Sequence, residues 1–234
     1  MKGQLYIIPI PISESNYENV LPSFTTDIAK VLRCFVVEKT KTARRFLRKI
    51  DKSFPIDDSV FYELNKHNNY EFEVDVIQRL KNGEDVGLMS EAGYPGIADP
   101  GSAVVQKAHQ NNIKVISLIG PSSIFLALAT SGLNGQGFTF NGYLPKSESD
   151  RAKKIKDLVH TIQRNNFAQI FIETPYRNQP MFNDVLKYAS DNIMFTVAID
   201  ITGENEYIKT KSIEQWKKEK FNLPKEPCVF ILGR

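Results

Sequence analysis

Only two cysteines occur in the 234 residues, Cys34 and Cys228. They lie in separate apolar runs, CFVV and CVFIL, so both read as small core residues rather than as a bridge. The three histidines, His67, His109 and His160, have no ligand spacing among themselves or with the cysteines. That argues against a metal site and leaves them solvated or capping roles. No apolar run approaches the ~18 residues of a membrane span, so no membrane partner is expected. The N-terminal stretch MKGQLYIIPIPISES has one lysine, is interrupted by Pro9 and Pro11, and lacks a small-residue cleavage site. It reads as a buried first strand rather than a signal peptide, and a cytoplasmic setting follows as an expectation.

The familiar catalytic and nucleotide motifs are missing as well. There is no G-x-x-x-x-G-K-[ST] loop and no G-x-G-x-x-G after the first strand, and the cluster GLNGQG has its glycines at other offsets. A nucleotide phosphate is therefore not the expected ligand. The segment GPSSI lacks the closing glycine of a G-x-S-x-G elbow, and no histidine is placed to activate Ser122 or Ser123, which argues against covalent serine chemistry.

What is present is an ordinary globular composition, 41% hydrophobic and 24% charged. Short β-rich runs (QLYIIPI, CFVVE, SVFYEL, VGLMS, KVISLIG) alternate with amphipathic stretches in the first half, the pattern of a mostly parallel α/β sheet. In TARRFLRKI, Ala43, Phe46, Leu47 and Ile50 recur at helical spacing and predict one buried stripe with basic residues around it. Phe72, Val76 and Leu80 predict a second helix, with Gly83 as its stop. The second half supplies FTFNGYL, AQIFIE, MFTVAIDI, EYIKTKS and PCVFILG, the later runs too close together for helical crossovers, so a mixed sheet is expected there. In RAKKIKDLVHTIQ, Ile155, Leu158, Val159 and Ile162 share one helical face. The apolar helix in GPSSIFLALATSGLNGQG separates the halves, and the expected domains are 1–119 and 120–234.

Net charge is only +3, yet residues Lys39 to Lys52 carry seven Lys or Arg against one Asp. A basic patch of this kind suits phosphate contacts, with a merely solvated helix face as the alternative. The other unusual stretch is GLMSEAGYPGIADPG, residues 87–101, directly after a buried strand. Gly93 and Gly96 would let backbone approach a ligand closely, while Pro95 and Pro100 restrict the loop. Ligands of open α/β folds gather at the carboxyl ends of strands, where this loop lies. Taken alone, the loop is also explained by consecutive turns with Asp99 capping the helix SAVVQKAHQ.

GQLYIIPIPI, LMSEAGYPGIADPG, KVISLIGPSS, NGYLP and IFIETPYR follow one another in an order and spacing that resembles the tetrapyrrole methylase superfamily. The closest resemblance is to its ribosomal RNA branch, the small-subunit ribosomal RNA ribose methyltransferase I type, and it runs from Gly3 nearly to the end. The resemblance implies two α/β domains with S-adenosylmethionine folded into the cleft between them, and usually a homodimer. It implies that Ala92, Gly93, Tyr94, Ile97 and Ala98 line the cofactor largely through backbone groups, and that Ser122 and Ser123 contact its methionine portion. Glu173, Thr174, Ala198 and Pro227 would form a second-domain wall near the adenosine. The implied reaction is methylation of a ribose hydroxyl of ribosomal RNA, with Lys41, Arg44, Arg45 and Arg48 on the basic helix as phosphate contacts; no catalytic residue is assigned. Methylation of a tetrapyrrole carbon, and a cofactor-binding relative without catalysis, are the alternatives. The chain departs from the RNA branch in carrying IPISES where that branch has PIGNL and EKTK where it has EDTR. It also ends at CVFILGR, without the further helical region many members carry.

Overall fold

Pro9 and Pro11 cannot donate to a strand ladder, and the first strand, β1, accordingly stops at Gln4–Ile7. The computed structural model describes residues 1–14, 16–64 and 69–234, with the side chains of 69–73 excepted; His67 and the Phe72 side chain thus lie outside the described residues. Contacts divide the chain into two units, Met1–Ser122 and Ser123–Arg234.

In the first unit β1 is followed by α1 (Ser23–Val31), β2 (Cys34–Val37), α2 (Thr40–Ile50), β3 (Val60–Glu63), α3 (Asn69–Lys81), β4 (Val86–Met89), α4 (Ser102–Gln110) and β5 (Lys114–Ser117). All pairings are parallel, in the order β3-β2-β4-β1-β5. Both faces are covered, and the side-chain period of two sorts each strand between two cores. Phe35 and Val37 of β2 join Ala29, Ala43, Phe46, Leu47 and Ile50 under α1 and α2. Cys34 and Val36 turn the other way, to Val76, Leu80, Val104 and Ala108 of α3 and α4. The stripe predicted for α2 is the buried one, and Val76 and Leu80 are buried as their spacing requires. Because every strand of this sheet runs the same way, the carboxyl ends of β1, β2, β4 and β5 lie along one edge.

The second unit contains α5 (Ser123–Ser131), β6 (Phe138–Tyr143), α6 (Glu148–Asn165), β7 (Ala168–Glu173), α7 (Asn178–Tyr188), β8 (Met194–Ile199), β9 (Tyr207–Ser212), α8 (Ile213–Lys217) and β10 (Cys228–Gly233). Its sheet is mixed, order β6-β7-β10-β8-β9, with β6 parallel to β7 and the other pairs antiparallel. Phe171, Phe195, Phe230 and Trp216 fill the main core beneath α6 and α7, and the Trp216 indole N–H donates to the Phe195 carbonyl at 2.8 Å. α5 covers the opposite face against β9 and β10. One ion pair is buried here: Arg151 Nε donates to Asp184 Oδ2 at 2.6 Å and Nη1 to the carbonyls of Pro145 and Lys146.

Among the described residues no helix is long and apolar enough to cross a membrane, and no cluster of His, Cys, Asp or Glu is placed to hold a metal ion. Burial pushes both thiols up, Cys34 to about 12, so they are inert core side chains.

Candidate functional site

The loop after β4 is held at both sides by hydrogen bonds. Gly93 and Ile10, from the segment after β1, form a two-bond antiparallel bridge, Ile10 N–H to Gly93 O at 3.0 Å and Gly93 N–H to Ile10 O at 3.1 Å. The Tyr94 hydroxyl donates to the Leu118 carbonyl at 3.0 Å and accepts from the Gly120 N–H at 3.1 Å, which ties the loop to the end of β5. Gly120 needs its missing Cβ, since a methyl there would lie 2.4 Å from Pro9 Cγ.

The residues predicted for the loop fall into two kinds. Ala92, Ile97 and Ala98 are exposed, and nothing among the described residues bonds the Ala98 backbone. Gly93 is buried, and its N–H and carbonyl are both occupied by Ile10, so it contributes close packing rather than hydrogen bonds. Its φ of +65° and the 3.2 Å from a Cβ there to Ile12 Cγ2 explain the glycine without a ligand. Ser122 is the last residue of the first unit and Ser123 opens α5. Both are half-buried, and neither hydroxyl has a partner among the described residues.

Asp99 does not cap α4. The N-cap position is taken by Gly101 at φ 132°, with no side-chain cap bond. The Asp99 carboxyl instead lies near Glu38 and Glu91, bonded to Ser90, and is pushed up to about 6, chiefly by burial and then by those two carboxylates. Glu38 follows β2, and its Oε2 accepts from the Glu91 N–H at 3.0 Å. Glu91 Oε1 accepts from Thr42 Oγ1 at 3.0 Å and pairs with Lys39 Nζ at 3.6 Å. The lysine of the divergent EKTK segment thus neutralises an acid of the neighbouring loop. Spacing in the sequence contained no signal for this carboxylate group, because its members come from two strands 53 residues apart. The only hint was an acid in each of the two loops.

Lys41, Arg44, Arg45 and Arg48 are all exposed on α2, as predicted. They are not equivalent: Arg44 lies over the Phe61 ring at 5.2 Å, and Arg48 Nη1 donates to the Lys52 carbonyl at 2.6 Å. Lys41 and Arg45 make no ion pair among the described residues.

In the second unit the sheet gathers Glu173, Ala198 and Pro227 at one end, through the pairings Cys228↔Glu173 and Val229↔Ala198 and the bond from Asp200 N–H to Pro227 O. Thr174 and Pro227 are exposed, whereas Ala198 is completely buried in a strand laddered on both sides. Glu173 is buried among the chain's own donors: Oε1 accepts from the Thr174 N–H at 2.8 Å, and Oε2 pairs with Arg177 Nη2 at 2.9 Å without hydrogen-bond alignment. It braces the turn that presents Thr174. Asn178, absent from the sequence reading, bonds the Glu226 carbonyl at 2.8 Å and so fixes the segment before Pro227.

The first-unit groups by themselves suit S-adenosylmethionine: its sulfonium or ammonium would relieve the mutual repulsion of Asp99, Glu38 and Glu91, and its polar groups match the unengaged Ser122 hydroxyl and Ala98 backbone.

No protein-family model matches the chain. A Buchnera aphidicola (subsp. Schizaphis graminum) protein named ribosomal RNA small subunit methyltransferase I is 30% identical over 98% of this chain and 78% of its own length. Proteins of the same name from Thermotoga maritima and Escherichia coli O157:H7 are 29% and 27% identical, over 93% and 99% of this chain and 94% and 79% of their own lengths. Among solved structures, the methyltransferase CobJ superposes with TM-score 0.62 at 14% identity, covering 99% of this chain and 94% of its own. The Thermus thermophilus uroporphyrin-III-C-methyltransferase superposes with TM-score 0.54 at 13% identity, covering 100% and 93%. At such identities these two share the fold, which is that of the tetrapyrrole methylases.

Proposed function

The chain belongs to the ribosomal RNA small subunit methyltransferase I family, and from that premise we propose that it transfers a methyl group from S-adenosylmethionine to a ribose hydroxyl of small-subunit ribosomal RNA. The observation that carries the reading is likeness over nearly the whole chain to relatives of that name. The site agrees with it. When bound, the cofactor supplies an electrophilic methyl on a sulfonium, so the chain's task is placement, which can contribute roughly 7–11 kcal/mol of barrier lowering.

In this reading Ala92, Ile97 and Ala98 face the cofactor, Gly93 and Tyr94 hold the loop in shape, and Ser122 and Ser123 bond the methionine portion. Thr174 and Pro227 supply contacts near the adenosine, with Glu173 and Ala198 behind them. Lys41 and Arg45 grip RNA phosphates, and Arg44 and Arg48 line the same helix face. The tetrapyrrole reading rests on shared fold alone. A homodimer in the cytoplasm belongs to the same proposal. Phe24 and Val31, largely exposed one above the other on α1 with half-buried Ile28 between them, support a covered face.

The test is transfer of a labelled methyl group to ribosomal RNA from a strain lacking this gene, followed by mapping of the modified nucleotide. Labelling of small-subunit RNA at a ribose is expected. No labelling, or labelling of a base only, would refute the ribose reading.

A further inference from the structure

The first unit contains a hydrogen-bonded clasp whose geometry bears on the cofactor loop, on the reading that this loop holds S-adenosylmethionine. In the sheet β1 lies between β4 and β5, so the loops after β4 and β5 start two strand spacings apart, roughly 10 Å. Tyr94 spans that gap. Its hydroxyl uses both of its functions, donating to Leu118 O at 3.0 Å and accepting from Gly120 N–H at 3.1 Å. Serine or threonine would be too short, and phenylalanine would reach without an oxygen at its tip.

The segment gripped in this way is held elsewhere too. Leu118 N–H donates to Ile7 O at 3.1 Å, and Thr25 Oγ1 donates to Ile119 O at 2.7 Å. On the other side of Tyr94 the Gly93–Ile10 bridge ties the same loop to the segment after β1. The ends of β1, β4 and β5 are therefore one hydrogen-bonded set, and Tyr94 supplies its only side-chain link between the β4 and β5 loops among the described residues. Two and three residues beyond Gly120 stand Ser122 and Ser123, whose hydroxyls have no partner among the described residues.

We propose that Tyr94 is a positioning residue: through its hydroxyl it holds the loop after β5 in the arrangement that presents Ser122 and Ser123 to the cofactor before the cofactor arrives. Without the clasp, Leu118 O and Gly120 N–H lose their partner and the segment takes up several conformations, only some of which bind. Binding then has to order the segment, and affinity falls by the populated fraction. The effect acts on cofactor binding and leaves the chemical step and the RNA surface alone.

The experiment compares wild type, Tyr94→Phe and Ile113→Val, a core truncation in the same unit chosen as a stability-matched control. S-adenosylmethionine affinity is measured by calorimetry well below the melting temperature, and hydrogen exchange of the Gly120 amide is followed without cofactor. Tyr94→Phe is expected to bind about ten-fold more weakly, as loss of about one hydrogen bond's worth of order implies, and to exchange Gly120 faster. KM for the cofactor should rise, with kcat at saturation and KM for RNA unchanged, while Ile113→Val keeps wild-type affinity. Wild-type affinity in Tyr94→Phe would overturn the clasp and leave the cofactor reading standing. An equal loss of affinity in the control would reduce Tyr94 to ordinary stability and also overturn it. Failure of the wild type itself to bind S-adenosylmethionine would overturn the cofactor reading and this inference with it.

Discussion

Three neighbouring positions in the loop after β4 have left-handed backbone, Gly93 at φ +65°, Gly96 at +83° and Ala98 at +64°, and substitutions there should move stability in opposite directions. Gly96→Ala adds a methyl with no atom nearer than Ser102 N at 3.8 Å, so the left-handed penalty of about 1–2 kcal/mol, less the about 0.4–1 kcal/mol by which alanine restricts the unfolded chain, leaves a net loss of about 0.5–1 kcal/mol. Gly93→Ala meets the same penalty and a contact of 3.2 Å with Ile12 Cγ2. Escape from that conformation breaks the two-bond bridge to Ile10, at about 0.5–1.5 kcal/mol per bond, so the net loss should be about 2 kcal/mol by either route. Ala98→Gly removes the penalty but gives the unfolded chain more freedom, worth about 0.4–1 kcal/mol, for a net gain of about 0.5–1 kcal/mol. For a chain of this size these become melting shifts of about −5 °C, −2 °C and +2 °C for Gly93→Ala, Gly96→Ala and Ala98→Gly. Thermal unfolding by circular dichroism reads the order, and calorimetry with S-adenosylmethionine shows whether relaxing Ala98 weakens binding by loosening the loop. A lower melting temperature in Ala98→Gly, or an unchanged one in Gly93→Ala, would refute the argument that left-handed backbone shapes this loop.

Lys41→Glu with Arg45→Glu should weaken RNA binding and reduce the magnitude of its salt slope by about 1.4–1.8 if each removes one phosphate contact, measured by filter binding across salt; an unchanged slope would mark the α2 face as merely solvated. Asp99 holds its proton more tightly in the folded chain, so its contribution is present below its ordinary value of 3.8 and lost as pH rises through about 6. With its partial exposure discounted, Asp99→Asn should remove about 1 kcal/mol of pH dependence in that window, read by urea unfolding at several pH values; an unaltered profile would contradict the carboxylate cluster. Asp184→Ala leaves the Arg151 guanidinium buried without its partner and should cost about 3–5 kcal/mol, whereas Arg151→Met with Asp184→Leu should recover most of it. Equal stability of the single and double variants in denaturant would show that the buried pair is not what holds α6 to α7.

Much of the fold was legible because helices and strands leave a periodic record in neighbouring residues. Ala43, Phe46, Leu47 and Ile50 announced α2 and its buried face, and Ile155, Leu158, Val159 and Ile162 did the same for α6. The close spacing of the last strands announced a mixed sheet, and five loop segments in order announced the family. The site was legible as a set of loops and not as a set of roles. Gly93 was expected to offer its backbone to a ligand, yet Ile10 takes both groups. Asp99 was the apparent helix cap, yet Gly101 holds that position and Asp99 joins Glu38 and Glu91.

By itself, then, the sequence determined the ten strands, the helices α2 to α6, the two kinds of sheet and the family, since each rests on local periodicity or on an ordered series of motifs. Tertiary structure alone decided the Ile10–Gly93 bridge, the Tyr94 clasp, the Lys39–Glu91 pair and the stacking of Arg44 on Phe61. The physical reason is that these contacts join segments far apart in the chain. Two of them also end on backbone groups that every residue carries, so no residue type at either position records the partner.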